Sequence, residues 1–431
     1  MSTPNDDQVG RTLSGALDRR ADDVAGASIS LDAVRGRARR IRNRRVALAG
    51  GAAAAVVLAV AAPFALTVAG TDERPAPPAV TDTPRPDGTD DPDDVTYGQD
   101  LEIDVLGAEP GDGPTVPYTV DGVLRLPGGG EYAVPGEVGI SGVGAVVPLE
   151  DGWLAAVDPG TGGEYTLVRL DPDGTVVEDG LEPDGSFVTA QVARDAGTGD
   201  VAWVESDGTA LEVVVADAAG EERWRTPVAP EPGGQALPIA TPLTITDGEV
   251  VLEISDGAGV RVVRMAEDGT VTGLGEEMAL GASPSGEAYA SFTLREADIS
   301  TCSSVVSTVD GAVVWGPTCD ATLEAFSPDG TFVLAGPANG DGAGLLVSQV
   351  LDARTGEVVA NLTTTEEQGM LSEAVWESPT SFVVAASQPV DGERRYGLLR
   401  IDLAAGTVEQ TVDVLDFDPA FDTGGERYLP R

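Results

Sequence analysis

Seven times between Gly129 and Gly406 the chain repeats one device: a short apolar run, a glycine turn and a second apolar run. The turns fall at Gly129, Gly174, Gly220, Gly269, Gly311, Gly356 and Gly406, at intervals of 45, 46, 49, 42, 45 and 50 residues. A fixed period of this size is the signature of a repeat architecture, and it is long enough for the four strands of a propeller blade. Within residues 164–178, Leu167 and Arg169 alternate with Val168 and Leu170 before Asp173-Gly174 turns the chain. Asp-Gly between β-rich runs marks a hairpin, because both turn residues must accept positive φ. Asp268-Gly269 and Asp310-Gly311 repeat the dipeptide.

A second series of hairpins, at residues 145–157, 199–205, 242–254, 280–292, 325–336 and 374–386, is offset from the first by about half a period. Alternating outer and inner hairpins predict an all-β chain, a seven-bladed β-propeller of four-stranded antiparallel blades, over residues 95–431. Residues 95–105 are expected to supply part of the first blade. The tail from Val412, ending in Arg427-Tyr428-Leu429, is expected to supply a strand that closes the ring and removes exposed sheet edges.

Two turn sequences carry a resemblance. Phe326-Ser327-Pro328-Asp329-Gly330-Thr331, echoed by Ser283-Pro284-Ser285-Gly286, resembles the SPDG turn of TolB-like and WD40-like propeller repeats. Leu351-Asp352-Ala353-Arg354-Thr355-Gly356-Glu357-Val358-Val359 is similar to the D-x-x-T-G-E-V hairpin of PQQ-like and YVTN-type propellers. Asp217-Ala218-Ala219-Gly220 and Asp402-Leu403-Ala404-Ala405-Gly406 are degenerate versions. The resemblance spans roughly residues 95–431 and implies a fold. Such turns build blades and bind nothing by themselves.

Upstream the chain is of another kind. Residues 46–70 run for 25 positions without a charge, enough for a hydrocarbon core of about 30 Å. Arg35, Arg37, Arg39, Arg40, Arg42, Arg44 and Arg45 stand directly before this run, and Asp72 and Glu73 directly after it. The positive-inside rule then places a short basic segment, 1–45, in the cytoplasm and everything after residue 70 outside the cell membrane. A cleaved signal peptide is the competitor, with Val68-Ala69-Gly70 as its small-residue site. The basic leader is long for that role, and the apolar run exceeds the usual 7–15 residues. Residues 71–94, rich in proline and aspartate, read as a disordered, self-repelling tether. The basic leader and single span resemble those of actinobacterial membrane-anchored regulators associated with sigma factors. That resemblance implies a signalling alternative, in which residues 1–34 dock a cytoplasmic partner.

Charge separates the two parts. Residues 1–45 carry a net +4, and residues 71–431 carry 16 arginines against 66 acidic residues, a net of −50. A surface of that sign repels phosphate backbones, so no nucleic-acid partner is expected, and basic partners or cations are favoured. The twelve-residue calcium loop with glycine at its sixth position is absent, so calcium has no motif behind it and no cofactor is expected.

The cysteine count is two, Cys302 and Cys319. If Asp310-Gly311 is a two-residue turn, residues whose numbers sum to 621 face each other, as these two do. They then form a non-hydrogen-bonded pair with Cα atoms about 4.5 Å apart, at the short end of disulfide geometry. The same register sets Pro317, which has no N–H, opposite Ser304. In an exported domain a structural disulfide follows.

The chain has no histidine, and all 26 of its basic residues are arginine. This removes Ser-His-Asp triads, histidine bases, Schiff-base chemistry and the P-loop lysine. Carboxylate chemistry, as in glycoside hydrolysis, is what remains. Trp153, Trp203, Trp224, Trp315 and Trp376 fall in or beside the expected strands and read as core between blades. No catalytic residue is named. The sequence points to a membrane-anchored, extracytoplasmic propeller that binds an envelope protein or polymer without catalysis, with signalling and carbohydrate-active enzymes as alternatives. Two convergent carboxylates 5–10 Å apart in the channel would favour the enzyme.

Overall fold

The computed structural model describes residues 91–417, apart from position 121 and segments 136–141, 159–164, 178–186, 207–209, 230–237, 256–258, 296–299, 339–346, 366–368 and 392. Contacts divide the chain into Met1–Thr81 and Asp82–Arg431, and every described residue belongs to the second unit. The basic segment, the apolar run 46–70 and most of the tether lie outside the described residues. Among the described residues no helix is long and apolar enough to cross a membrane.

The strands form seven sheets in chain order. Blades three to seven each carry four antiparallel strands. Blade four shows the plan: Ile239–Thr246, Glu249–Ser255, Val260–Met265 and Val271–Gly275, each paired with the next. Blade three spans Ala193–Arg194 to Glu222–Pro227, blade five Met278–Ala282 to Val313–Thr318, blade six Ala321–Phe326 to Val358–Thr364, and blade seven Met370–Trp376 to Thr407–Phe417. In blade one three strands are described, Tyr118–Val120, Val123–Arg125 and Glu131–Ala133. Blade two has Gly142–Leu149, Gly152–Asp158 and Thr166–Leu170, and a single bridge from Leu170 to Val176 stands for its outer strand. The chain is thus an all-β, seven-bladed propeller.

Apolar side chains from facing sheets fill the spaces between blades, the burial that drives the packing of sheets. Leu124 and Leu170 lie between blades one and two, Leu154 and Trp203 between two and three, and Val213 and Leu252 between three and four. The series continues with Val262 and Tyr289, then Leu323 and Ala290, then Phe332 and Ile401. Between blades seven and one the buried set shrinks to Val383 and Leu398, with Val116 and Tyr118 packed against them. Trp203 and Trp376 are buried, whereas Trp153, Trp224 and Trp315 are partly buried beside these clusters.

The repeat glycines occupy the turn before each blade's outer segment, and all seven have positive φ, from 65° at Gly406 to 96° at Gly129. Five of them also stand against the preceding blade, and Gly406 stands against the strap. A Cβ on Gly356 would lie 2.8 Å from the Trp315 ring of blade five, and one on Gly311 would strike the Leu274 carbonyl of blade four. Gly174, Gly220 and Gly269 likewise meet Glu131, Leu149 and Thr226 of the blade before, and Gly406 meets Gln99. At Gly129 an added Cβ would meet nothing within 4 Å.

Two sequence expectations need correction. Residues 95–105 do not enter the first blade. Gln99–Ile103 instead adds in parallel to the outer strand of blade six, with Leu101 facing Leu362. Glu109–Pro110 then adds in parallel to the outer strand of blade seven. The segment ends at Tyr118 in blade one, so one strap crosses three blades. Its Val95, Leu101, Ile103 and Val105 are buried in the core between blades six and seven, and that burial outweighs membership of a local hairpin. The tail from Val412 continues blade seven's outer strand to Phe417, and residues 418–431 lie outside the described residues.

The second correction concerns the hairpin at Gly311. The Ser307 N–H donates to the Ala312 carbonyl and the Gly311 N–H to the Ser307 carbonyl, so the loop has four residues, not two. Val306 faces Val313, giving a sum of 619, and two register shifts carry it through Val305/Trp315 to Ser303/Thr318, which sums to 621. Ser304 and the cis Gly316-Pro317 step fall in the second irregularity and are not a facing pair. The Cys302–Cys319 disulfide forms, with Cα atoms 4.0 Å apart.

Candidate functional site

The innermost strands share a defect. Pairing with the second strand skips Gly144 in blade two, Leu243 in blade four, Leu280 in blade five and Glu373 in blade seven, and it shifts across Glu324-Ala325 in blade six. A β-bulge of this kind bends the strand and re-aims the extra residue. Three of these five bulges open on one cavity between the inner strands. Leu243, Leu280, Glu324 and Ala325 all line one cavity of about 260 Å³, with Ala374, Val375 and Trp376 of blade seven beside them. Glu373 itself takes a positive φ of 39°. Gly281 lets the inner strands of blades five and six approach closely, since a Cβ there would lie 2.6 Å from the Glu324 carbonyl.

The two Ser-Pro-x-Gly turns also reach this cavity, through Pro284 and Pro328. In the second turn Ser327 Oγ donates to Asp329 at 2.6 Å and accepts from the Phe332 N–H at 2.9 Å, which locks the turn. The Ala196 N–H of blade three donates to the Pro284 carbonyl at 3.1 Å, so a hairpin reaches across to this rim. Trp376 donates its indole N–H to the Ala325 carbonyl at 3.1 Å and packs 5.1 Å from Phe382. The wall is therefore apolar and braced. Among the described residues of the wall Glu324 is the one charged side chain, and Gln191 adds an amide. Such a surface can exclude water from a small apolar group.

The outer turn residues perform other work. The Asp352 carboxylate accepts from the N–H groups of Arg354 and Thr355 and from the Tyr97 hydroxyl at 2.7 Å. Burial pushes its pKa up, but these bonds, led by Tyr97, outweigh burial and hold it below the usual value. Asp310 accepts from the Ala312 N–H and Asp268 from that of Thr270. In the Gly174 turn the capping carboxylate is Asp171, not Asp173, since Asp171 Oδ1 takes the N–H groups of Asp173 and Thr175. Asp173, Gly174, Asp268, Gly269, Asp310, Gly311, Asp329, Gly330, Gly356 and Gly406 are all absent from the cavity wall. The turn aspartates and glycines are thus distinct from the candidate site, which the Ser-Pro-x-Gly motifs reach only through Pro284 and Pro328. No pattern in the sequence singles out Leu243, Leu280 or Ala374, because a bulge depends on where the second strand's register slips.

A second cavity, of about 450 Å³, lies between the strap at Gly113–Thr115 and the turn Pro127-Gly128-Gly129-Gly130 of blade one, and an Arg125–Glu131 ion pair borders it. Among the described residues no group of three or more cysteine and carboxylate side chains is placed to hold a metal ion. Elsewhere burial raises the pKa of the Glu253 carboxyl, although it accepts the Ala279 N–H at 2.5 Å.

No family model matches the chain, and no curated protein matches it. Among solved structures it is similar to TolB from Acinetobacter baumannii, at 18% identity over 69% of this chain and 68% of that one, with a TM-score of 0.38. It is also similar to a prolyl endopeptidase, at 15% identity over 73% of this chain, with a TM-score of 0.45. Prolyl oligopeptidase B from Galerina marginata is a further likeness, at 12% identity over 65% of this chain and a TM-score of 0.42. The chain spans 49% and 44% of the two peptidases. The assignment of the fold rests on this chain's own strand order.

Proposed function

We propose that the protein is a membrane-anchored, extracytoplasmic binding module whose ligand enters the axial cavity, and that it acts without catalysis. The observation that carries this reading is the set of bulged inner strands, which turn Leu243, Leu280 and Ala325 to one apolar cavity braced by four blades. A rigid scaffold with its variable features at one end suits recognition. The ligand is an envelope protein or polymer that presents an apolar group. Anchoring follows from the uncharged run 46–70 behind its arginine cluster.

Crosslinking co-purification from native membranes tests both parts. The full chain, a form lacking residues 1–34 and an Ala282→Trp variant, which fills the cavity, are compared. A partner kept without residues 1–34 and lost with Ala282→Trp, at unchanged melting temperature, supports the axial site. A partner lost with residues 1–34 instead moves the function to the cytoplasmic segment and to signalling. Protease treatment of intact cells should remove the propeller; full protection would defeat the extracytoplasmic placement.

A further inference from the structure

A pull between the anchor and the propeller enters the fold at Val95. Behind that residue stand the proline- and aspartate-rich tether 71–94 and the uncharged run 46–70. A spacer of that composition buries little and passes load to whatever follows it. The strap follows, and it is held twice. In the first hold Gln99–Ile103 pairs with residues 360–364, and the Val105 N–H donates to Gln388 Oε1 at 3.1 Å. The Tyr97 hydroxyl on Asp352 at 2.7 Å and the Gln99 amide on the Leu403 carbonyl at 2.8 Å fasten its loaded end. Val95, Leu101, Ile103 and Val105 are its buried side chains.

A turn ends that hold, where Asp104 Oδ1 accepts from the N–H groups of Leu106 and Gly107 at 3.0 Å. The second hold begins beyond it. Glu109–Pro110 pairs with residues 409–410, the Gly111 N–H donates to the Gln410 carbonyl at 2.8 Å, and Glu377 accepts from the Thr115 N–H at 2.5 Å. Among the described residues blades four and five are complete in four strands, so the fifth strand on blade six is an addition to the blade plan. Blades six and seven also meet through their own Phe332, Leu334, Phe382 and Ile401, with Trp376 5.1 Å from Phe382. The added strand is parallel, the slightly weaker pairing per residue, and one of its ends takes the load. The strand it covers, Val358–Thr364, is paired antiparallel with Gln349–Asp352 and continuous with its blade. Because the two holds lie in series, the pull reaches Glu109 only once Val105 is free.

We propose that residues 95–108 form a load-released clasp. A pull on the tether strips them from blade six and lengthens the connection to the membrane, while the second hold keeps the ring closed. Without load, the paired strand and its buried side chains keep the clasp shut. Under load it yields before any blade, because local opening starts where few contacts must break together. A propeller bound to an envelope polymer then stays intact when that polymer and the membrane move apart. The source of the load rests on the anchored reading above; the clasp itself is a property of the fold.

Optical tweezers on the full chain in detergent test the clasp, with DNA handles clicked to azidophenylalanine in place of Thr83 and of the exposed Glu276 between blades four and five. The first event expected is a step of about 40 Å, the gain from drawing out roughly 14 residues, with the blades giving way at higher force. Glu102→Cys with Thr363→Cys bridges a facing, exposed pair across the strap and blade six. Once the bridge is confirmed by mass, the step should vanish, at a melting temperature no lower than wild type. Leu101→Ala should lower the force of this step and leave the later ones in place. Unfolding of the whole propeller in one event, or a first step that survives the bridge, would overturn the proposal. So would a first step of about 70 Å, which takes both holds together. The handle at position 83 delivers load whether or not residues 46–70 cross a membrane. Full protection of the propeller from protease would therefore defeat the anchor alone, and the clasp stands or falls by the force record.

Discussion

Blades six and seven meet across a deep apolar wall, into which the strap drives Leu101, Ile103 and Val105 from outside. Blades seven and one meet across Val383 and Leu398, with polar contacts in place of a wall. There Arg400 pairs with Glu377 at 2.5 Å within blade seven, and the two hold the strap where it runs on into blade one: Arg400 donates to the carbonyls of Asp112 at 3.2 Å and Gly113 at 2.9 Å, and Glu377 accepts from the Thr115 N–H. The glycine turns tell the same story: Gly356 is wedged under blade five, whereas a Cβ on Gly129 would meet nothing within 4 Å. A ring of like repeats therefore has one unlike joint, held by hydrogen bonds and a crossing strap where the others are held by burial. Apolar joints lose stability in proportion to area removed, while a polar joint fails when one partner is taken away.

The largest effect should come from cutting the polar joint. Arg400→Ala strands the Glu377 carboxylate, whose side chain is 2% exposed, and should cost about 3–5 kcal/mol. Urea unfolding measures the loss, and amide exchange should quicken first at Tyr118–Val120. Uniform quickening across all blades would mean the joint is not special. Replacing both cysteines with serine should cost about 3 kcal/mol by releasing a closed loop, with the joint's exchange unaltered. A variant that opens the blade seven–blade one joint equally would erase the comparison.

Paired glycine substitutions sharpen it. Gly129→Ala bears only the left-handed backbone penalty of about 1–2 kcal/mol. Gly356→Ala adds a clash with the Trp315 ring, about 1–3 kcal/mol more. Equal melting temperatures for the two would contradict the wedge. The smallest effect belongs to Tyr97→Phe, which removes the strap's bond to Asp352 at a cost of about 1 kcal/mol. Asp352 has a folded pKa below its ordinary 3.8, so its contribution is complete above that value and disappears as the pH falls through the lower one. The gap between wild type and Tyr97→Phe should accordingly narrow in acid melts, and a constant gap would assign the bond no electrostatic part.

The legibility of the fold in the sequence follows from the same physics. Each outer turn needs a residue that accepts positive φ, so the period is written in glycine and survives the divergence of everything around it. The cysteine pairing was also readable, although by compensation: a four-residue loop lowered the register sum by two and two irregularities restored it. The strap was opaque. Gln99 pairs with Ala360, and parallel pairing over such a distance leaves no local trace in either segment. The cavity was opaque for a different reason. Leu243 and Leu280 are the residue types of any core, and only the slip of register turns them to the axis. Of the candidate site, the Ser-Pro-x-Gly turns and Trp376 are visible in the sequence, but as blade-building and core residues and not as a cavity wall.

The turn glycines have one more consequence, which concerns time. The turns of blades two to six are seated on the blade made just before, and that of blade seven on Gln99 of the strap, so the surface that receives each already exists when the new repeat is synthesised. Assembly can proceed in the order of the chain, one blade templating the next, as expected for domains that form from their N-terminal side. Blade one alone has no predecessor. Its Gly129 is left without a seat because the neighbour that might have provided one, blade seven, is the last to be built.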